Sequence, residues 1–237
     1  MADPDKKSCT PCKHGHRPTK PLTDLTMVTI SIGEDFGKKQ DYILPMEYLT
    51  SVSPYFENAF KGSFREAVEK KISLANVEVE TFGIYVEWLN SHKIVDESGE
   101  DFVGESETRV SQHPVLLKLY LFADEYDHPQ LRRDVLEVFI RHTNKYTKCV
   151  KVKTISKAYD RLPSNSPLLR FLVDHYAYQW SPTSTATEKS LPVQFLYSLA
   201  IKLRAQTRSL ELPRRVKSPY LNDCDYHEHD AEKEAEG

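Results

Sequence analysis

Residues 42–56 read YILPMEYLTSVSPYF, and this stretch decides most of what can be predicted about the fold. Its first residues, up to Leu44, have the composition of a short strand, which Pro45 ends. Residues 46–52 predict a short helix. Ser53 then supplies a helix N-cap, and Pro54 takes the first helical position, where a missing N–H group costs nothing.

Strand signals lie on both sides of this stretch. Residues 28–32 alternate apolar and polar side chains, which is the period of a half-buried strand. Residues 34–39 are polar and predict the turn of a hairpin. Gly62 is placed to end the helix that begins at Pro54 in a left-handed conformation, and residues 71–74 predict a third short strand.

Helical periodicity dominates the chain from there to about Ala205. Asn76 is predicted to cap a helix that runs to about Asn90 and carries two apolar faces. A strongly apolar helix follows at residues 115–126. Four further helical segments are predicted, each from an apolar stripe along one face: Leu131, Val135, Val138 and Phe139; Val152, Ile155 and Tyr159; Leu168, Leu169, Leu172 and Tyr176; and Phe195, Leu199 and Leu203. A few early strands followed by helices predict an α+β fold with an all-helical extension.

Composition excludes several classes of protein. The chain has 237 residues, a formal net charge of −3 and only 8 glycines, and no apolar run approaches the roughly 20 residues that cross a bilayer. No glycine-rich phosphate-binding loop is present, and the charge balance is far from that of a nucleic-acid binder. The four cysteines are scattered, which predicts reduced thiols in the cytoplasm, the nucleus or both. We therefore expect no membrane, nucleic-acid or small-molecule partner.

Three polar regions interrupt or flank the predicted core. Residues 1–25 are proline-punctuated and predict a disordered tail. Residues 93–113 are rich in Asp and Glu and predict a flexible acidic loop. Residues 207–237 predict a second disordered tail, with a net charge of −6 over residues 223–237.

Two parts of the sequence together resemble the BTB/POZ domain. Residues 42–56 with Phe64-Arg65-Glu66 resemble its central motif, and residues 119–127 (LYLFADEYD) with Leu131-Arg132 resemble the helix pair that closes it. The similarity is closest to the BTB proteins of filamentous fungi. The resemblance implies a BTB/POZ domain at 26–145, which includes the acidic loop 93–113, a helical extension at 146–206, and tails at 1–25 and 207–237.

The resemblance also implies a function and residues that serve it. BTB domains are protein-interaction modules, which self-associate or dock on the cullin scaffold of a ubiquitin ligase. The element that engages the cullin maps onto Phe64 and Glu66, an aromatic anchor beside a carboxylate. The alternative is that Phe64 packs in the core and Glu66 is merely solvated. Tyr55 is expected nearer the surface than Phe56, and Tyr55 joins Phe64 and Glu66 as a partner-binding residue.

The sequence departs from the family pattern in two places. The family's His-Lys pair falls on Pro45 and Met46, so any polar role of that pair is lost. The proline-rich N-terminus does not offer the helix that many BTB dimers use ahead of the first strand. The sequence of this N-terminus therefore does not favour a homodimer in which strands and helices are swapped.

Metal-binding and catalytic signals are weak. Cys9, Cys12, His14 and His16 have the ligand types of a zinc site, but the second pair follows too soon to enclose a folded element. Cys224, His227 and His229 lie in the acidic tail, which is better explained as a solubilising appendage. Asp174-His175 lacks an accompanying nucleophile motif. We therefore expect no metal, no cofactor and no catalytic residues.

Two functions remain open from the sequence. The first is a non-catalytic BTB/POZ adaptor, with a cullin-based ubiquitin ligase as its assembly. The second is a transcription-linked regulator that acts through homo- or hetero-oligomerisation and reaches DNA only through other proteins.

Overall fold

A computed structural model describes residues 23–95, 99, 102, 112–146, 150–179, 190–207, 219–220 and 226. Its three strands are β1 (Met27–Ile32), β2 (Gln40–Pro45) and β3 (Lys71–Leu74). Its helices are α1 (Met46–Thr50), α2 (Pro54–Lys61), α3 (Arg65–Glu69), α4 (Val79–Ser91), α5 (His113–Glu125), α6 (Pro129–Tyr146), α7 (Val152–Arg161), α8 (Pro167–Gln179) and α9 (Val193–Thr207). A small sheet followed by helices confirms the predicted α+β class.

The three strands form one sheet in the order β2-β1-β3. β1 pairs antiparallel with β2, with Ile30 opposite Tyr42, and parallel with β3, with Ile30 opposite Ile72. Val28, Ile30 and Ile32 are all buried, which confirms the strand predicted from their alternation. The parallel pairing requires a crossover, and α1, α2 and α3 form it.

The turn between β1 and β2 depends on glycine. Gly33 has a φ of 81° and Gly37 a φ of 69°, and a single turn of 3-10 helix at Glu34–Phe36 lies between them. A β-carbon on Gly33 would lie 2.2 Å from the carbonyl oxygen of Lys38. The predicted hairpin is therefore confirmed, and its turn needs the left-handed conformation that glycine adopts most readily.

Ser53 caps α2 and also fastens it to another helix. Its Oγ accepts a hydrogen bond from the Phe56 amide (3.1 Å) and donates one to the carbonyl oxygen of Tyr126 (2.7 Å). The N-cap and the proline at the first helical position are both confirmed. Because Tyr126 follows the last residue of α5, this cap sets the position of α2 against the core.

Three local predictions are wrong. α4 begins at Val79 with Glu78 at its N-cap, since the Asn76 side chain is instead engaged with α5. Gly62 ends α2 in an extended conformation, with a φ of −76°, rather than a left-handed one. The helix predicted at 46–52 ends at Thr50. The short helix α3 has no counterpart among the predicted elements.

Aromatic side chains of α4 and α5 fill the centre of the core. The ring centroids of Tyr85 and Phe122 are 4.8 Å apart, and those of Phe82 and Phe122 are 6.0 Å apart. Trp88 is buried and donates its Nε1 hydrogen to Asp134 on α6 (2.8 Å). Burial raises the pKa of that carboxyl group. The hydrogen bond gives both the indole N–H and the carboxyl group a partner inside the protein.

The helical extension continues the same hydrophobic core. Phe139 of α6 and Phe171 of α8 are in edge-to-face contact, with ring centroids 6.2 Å apart. Phe195 of α9 packs against Tyr176 and Tyr159, with centroids 5.1 and 5.7 Å away. Apolar contacts therefore cross the predicted boundary between 145 and 146, and the position of that boundary stays a prediction.

Some predictions fall on residues outside the described part of the chain. These are most of the N-terminal tail, including Cys9, Cys12, His14 and His16, most of the acidic loop, and Cys224, His227 and His229 of the C-terminal tail. Pro219, Tyr220 and Tyr226 are described, and Pro219 and Tyr226 are buried, which the interpretation of 207–237 as a disordered tail did not anticipate. No helix among the described residues is long and apolar enough to span a bilayer.

Candidate interaction surface

An exposed apolar area lies on α2, α3 and the loop that joins them. Tyr55 is 39% exposed, Phe64 60% and Val68 82%. Glu66, which lies between Phe64 and Val68 in the sequence, is half-buried. We call Tyr55, Phe64, Glu66 and Val68 the α2–α3 surface. Three exposed apolar side chains on two neighbouring helices make this surface a candidate contact site for another protein.

Backbone geometry holds Phe64 at this surface. Phe64 is the N-cap residue of α3 and has extended dihedral angles, and its carbonyl oxygen accepts a hydrogen bond from the Ala67 amide (3.1 Å). Its ring lies over Gly62, where an added β-carbon would come within 3.0 Å of it. The alternative that Phe64 packs in the core is therefore wrong.

Tyr55 joins the exposed surface to the buried aromatic cluster beneath it. Its ring makes edge-to-face contacts with Phe56 and Tyr126, with centroids 5.2 and 5.1 Å away. Phe56 is fully buried, so the predicted division between a surface tyrosine and a core phenylalanine is confirmed. Partial burial raises the pKa of the Tyr55 hydroxyl, and the nearby carboxylates of Glu66 and Glu125 raise it further.

Tyr55 of α2 and Glu66 of α3 belong to neighbouring helices. The Glu66 carboxylate helps to raise the pKa of the Tyr55 hydroxyl, so these two predicted partner-binding residues lie within electrostatic reach of each other. The hydroxyl is held in its neutral form, which can donate a hydrogen bond. Tyr55 therefore presents a donor on a surface that also carries a carboxylate acceptor.

A hydrogen-bond network supports this surface from below. The Tyr126 hydroxyl donates to Asn76 Oδ1 (3.0 Å), and Asn76 Nδ2 donates to Glu125 Oε1 (2.9 Å). Arg161 of α7 contacts the other carboxylate oxygen of Glu125 at 3.3 Å. Burial is the main cause that raises the pKa of Tyr126. The network joins the first helix of the extension to the residues under Tyr55.

Exposed ion pairs lie on the same two helices as the α2–α3 surface. Lys61 pairs with Glu57 (3.1 Å) along α2, and Arg65 pairs with Glu69 (3.3 Å) along α3. These pairs are exposed and contribute little to stability. An apolar centre with a charged rim is the usual anatomy of a protein–protein interface.

Two arrangements considered in the sequence, a metal-ligand cluster and an acid–imidazole pair, are not found among the described residues. These residues contain no group of three or more His, Cys, Asp and Glu side chains placed to hold a metal ion. Asp174 and His175 do not face each other as an acid–imidazole pair. Asp174 binds Tyr226 and Lys202, whereas His175 Nδ1 faces the Tyr220 hydroxyl.

Sequence reasoning missed a second exposed apolar face, on α9. Phe195 and Leu199 are buried as predicted, but Leu203 is 37% exposed. On the outer side of this helix the exposed large apolar residues are Val193, Leu196, Tyr197, Ile201 and Leu203. The signal was present, because apolar residues occupy more of α9 than one face can hold.

The chain was compared with protein-family models and with known proteins. No family model matches the chain. The chain is 21% identical over 195 residues to the human Kelch repeat and BTB domain-containing protein 7. The match covers 82% of this chain and 26% of that protein, so the chain spans about a quarter of the length of the curated relative it matches.

This relative is human, and nothing in the comparison supports the filamentous-fungal type. A three-stranded sheet, the helices around it and the added helices α7–α9 are consistent with a BTB-like fold that carries a helical extension.

Proposed function

We propose that this protein is a non-catalytic protein-interaction module that docks on a cullin-type scaffold through the α2–α3 surface. The observation that carries the proposal is the exposure of Phe64. An aromatic ring that is 60% exposed adds little to the fold, but burying it against a partner contributes strongly to binding.

The companion residues support the same assignment. Glu66 lies within electrostatic reach of Tyr55, so one contact area combines an aromatic anchor, a hydroxyl donor and a carboxylate. Binding energy in protein interfaces concentrates in such central aromatic and hydrogen-bonding residues, while a polar rim excludes water. We propose a cullin as the scaffold because Phe64-Arg65-Glu66 resembles the cullin-contacting element of BTB domains.

The α9 face gives the adaptor a second surface. It lies on the last helix of the extension and includes Tyr197 and Ile201, which are 67% and 52% exposed. An adaptor needs one surface for the scaffold and another for the protein it delivers. The α9 face fits the second role, and the cytoplasm or nucleus, where ubiquitin ligases work, suits the predicted reduced thiols.

Binding of a purified cullin N-terminal domain, measured by titration calorimetry, tests the proposal. Phe64→Ala with Glu66→Lys is expected to weaken binding at least about 30-fold, since a hot-spot residue contributes about 2 kcal/mol or more. The matched control is Phe36→Ala with Glu87→Lys. Phe36 is 52% exposed on the β1–β2 turn, and Glu87 is exposed on α4.

The outcomes separate cleanly because each variant replaces one exposed phenylalanine by alanine and one glutamate by lysine. Equal affinity of the two variants would show that the α2–α3 surface is not the docking site. Absence of binding by the folded wild-type protein, with self-association by light scattering in its place, would favour the oligomerising regulator instead.

A further inference from the structure

A short segment beyond α9 returns to pack on α8. Pro219 and Tyr226 are buried, with Tyr226 only 4% exposed, and Tyr220 is half-buried. Both tyrosine rings contact Phe171 edge-to-face, with centroids 6.2 Å away for Tyr220 and 5.4 Å for Tyr226. One phenylalanine of α8 therefore holds two aromatic rings that are six positions apart in the chain.

The Tyr226 hydroxyl reaches a carboxylate. It donates to Asp174 Oδ2 at 3.1 Å, while Lys202 of α9 lies 2.8 Å from Oδ1 of the same side chain. The lysine neutralises the carboxylate and fixes its orientation, which leaves one oxygen for the tyrosine. Because hydrogen bonds to charged groups are stronger than neutral ones, this contact distinguishes tyrosine from phenylalanine.

The Tyr220 hydroxyl reaches a buried imidazole. It is hydrogen-bonded to His175 Nδ1 at 2.5 Å, and its ring also contacts Tyr178, with centroids 6.2 Å apart. His175 is fully buried, and burial lowers its pKa to about 4. A neutral imidazole at physiological pH accepts a hydroxyl hydrogen or donates one, so this contact also requires tyrosine.

Phe171, Asp174, His175 and Tyr178 lie on one face of α8 and present two adjacent polar groups, a carboxylate and an imidazole, beside two aromatic rings. We call this face the α8 site. We propose that the α8 site is a peptide-binding site for a segment carrying two tyrosines six positions apart, and that the chain fills it with its own Tyr220 and Tyr226. The proposal does not depend on the α2–α3 surface.

The sequence of the occupant fits this site. Residues 220–226 read YLNDCDY, with a tyrosine at each end. The contacts are made by side-chain tips and ring edges on one helix face, so a peptide of the same sequence supplied from outside can make them too. The tethered segment has a high effective concentration and excludes such a peptide while it stays bound.

Fluorescence anisotropy with full-length protein tests the proposal. The probe is a labelled 14-residue peptide of residues 217–230, in reducing buffer. Tyr220→Ala with Tyr226→Ala empties the site of its own anchors, and this variant is expected to bind the probe saturably. Wild-type protein is expected to bind it at least tenfold more weakly, because its own segment competes.

Peptide variants test the chemistry of recognition. A probe with Tyr226→Phe keeps the ring and loses the hydroxyl, and it is expected to bind the emptied site about tenfold more weakly. A probe with Tyr226→Glu places a negative charge opposite Asp174 and is expected not to bind. Equal affinity of all three probes, or equal affinity of wild type and the double variant for the native probe, would overturn the proposal.

A milder variant covers the case in which the double variant does not fold. Tyr226→Phe in the full-length chain removes one hydrogen bond and no ring contact, so it should bind the native probe more tightly than wild type does. Tyr197→Phe is the matched control, since Tyr197 is an exposed tyrosine of α9. If Tyr226→Phe binds the probe no better than Tyr197→Phe, the segment is ordinary packing and the α8 site is not a binding site.

Discussion

Acidification from pH 7.5 to pH 5.0 is expected to destabilise this protein through two buried histidines. His113 lies at the start of α5, where its Nε2 donates to Thr143 Oγ1 (3.0 Å), because that hydroxyl already donates to the Phe139 carbonyl (2.7 Å). Burial and the neighbouring His142 lower the pKa of His113 to about 3. Burial lowers the pKa of His175 to about 4.

The sign follows from proton binding. In the unfolded chain both histidines have a pKa of about 6.5 and take up protons below it, whereas in the folded protein they stay neutral at pH 5. The unfolded state therefore binds more protons, and stability falls as the pH falls below 6.5. At pH 5.0 each histidine costs about 2 kcal/mol of unfolding free energy, so the pair costs about 4 kcal/mol.

Urea denaturation at the two pH values measures this effect. With an m value of about 2.5 kcal/mol/M, the two histidines alone should lower the urea midpoint by about 1.5 M between pH 7.5 and pH 5.0. Asp134 acts in the opposite direction, since burial raises its pKa and its protonation favours the folded state. The decisive comparison is therefore His113→Gln, which should remove about half of the histidine-dependent loss. An unchanged pH dependence in this variant would refute the assignment of His113.

Two further predictions concern stability and the shape of the α2–α3 surface. Ser53→Ala should lower the free energy of unfolding, measured by chemical denaturation, by about 1–3 kcal/mol, because it removes the α2 cap and leaves the Tyr126 carbonyl without that donor. The control Ser51→Ala changes an exposed residue nearby and should lower it by less than about 1 kcal/mol. Equal losses in the two variants would contradict the role of the cap. Gly62→Ala should destabilise the protein and displace Phe64, since the new methyl group would lie 2.4 Å from the Asn58 carbonyl oxygen and 3.0 Å from the Phe64 ring. An unchanged melting temperature together with an unchanged affinity for the cullin would contradict the role of Gly62 in positioning Phe64.

Local signals with a short-range physical cause were predictable. The alternation in β1 and the Ser53-Pro54 start of α2 follow from side-chain period and backbone geometry within a few residues. The prediction that Asn76 caps α4 was wrong because its side chain forms hydrogen bonds with Tyr126 and Glu125, which lie about 50 positions away in the sequence. α3 is only five residues long, too short to show a helical period.

The candidate surfaces were only partly predictable. Family resemblance pointed to Phe64 and Glu66, but burial of an aromatic residue is the default expectation, so only the structure places Phe64 outside the core. The return of Tyr220 and Tyr226 to α8 had no signal in a polar, acidic segment. Their contacts depend on where α8 and α9 place Asp174 and Lys202.

Hydrogen–deuterium exchange on the complex with a cullin N-terminal domain tests the central claim most directly. The account predicts slower exchange in peptides that cover residues 53–70 when the cullin is added, with peptides of α9 unchanged. Slower exchange elsewhere, with residues 53–70 unaffected in a saturated complex, would contradict it.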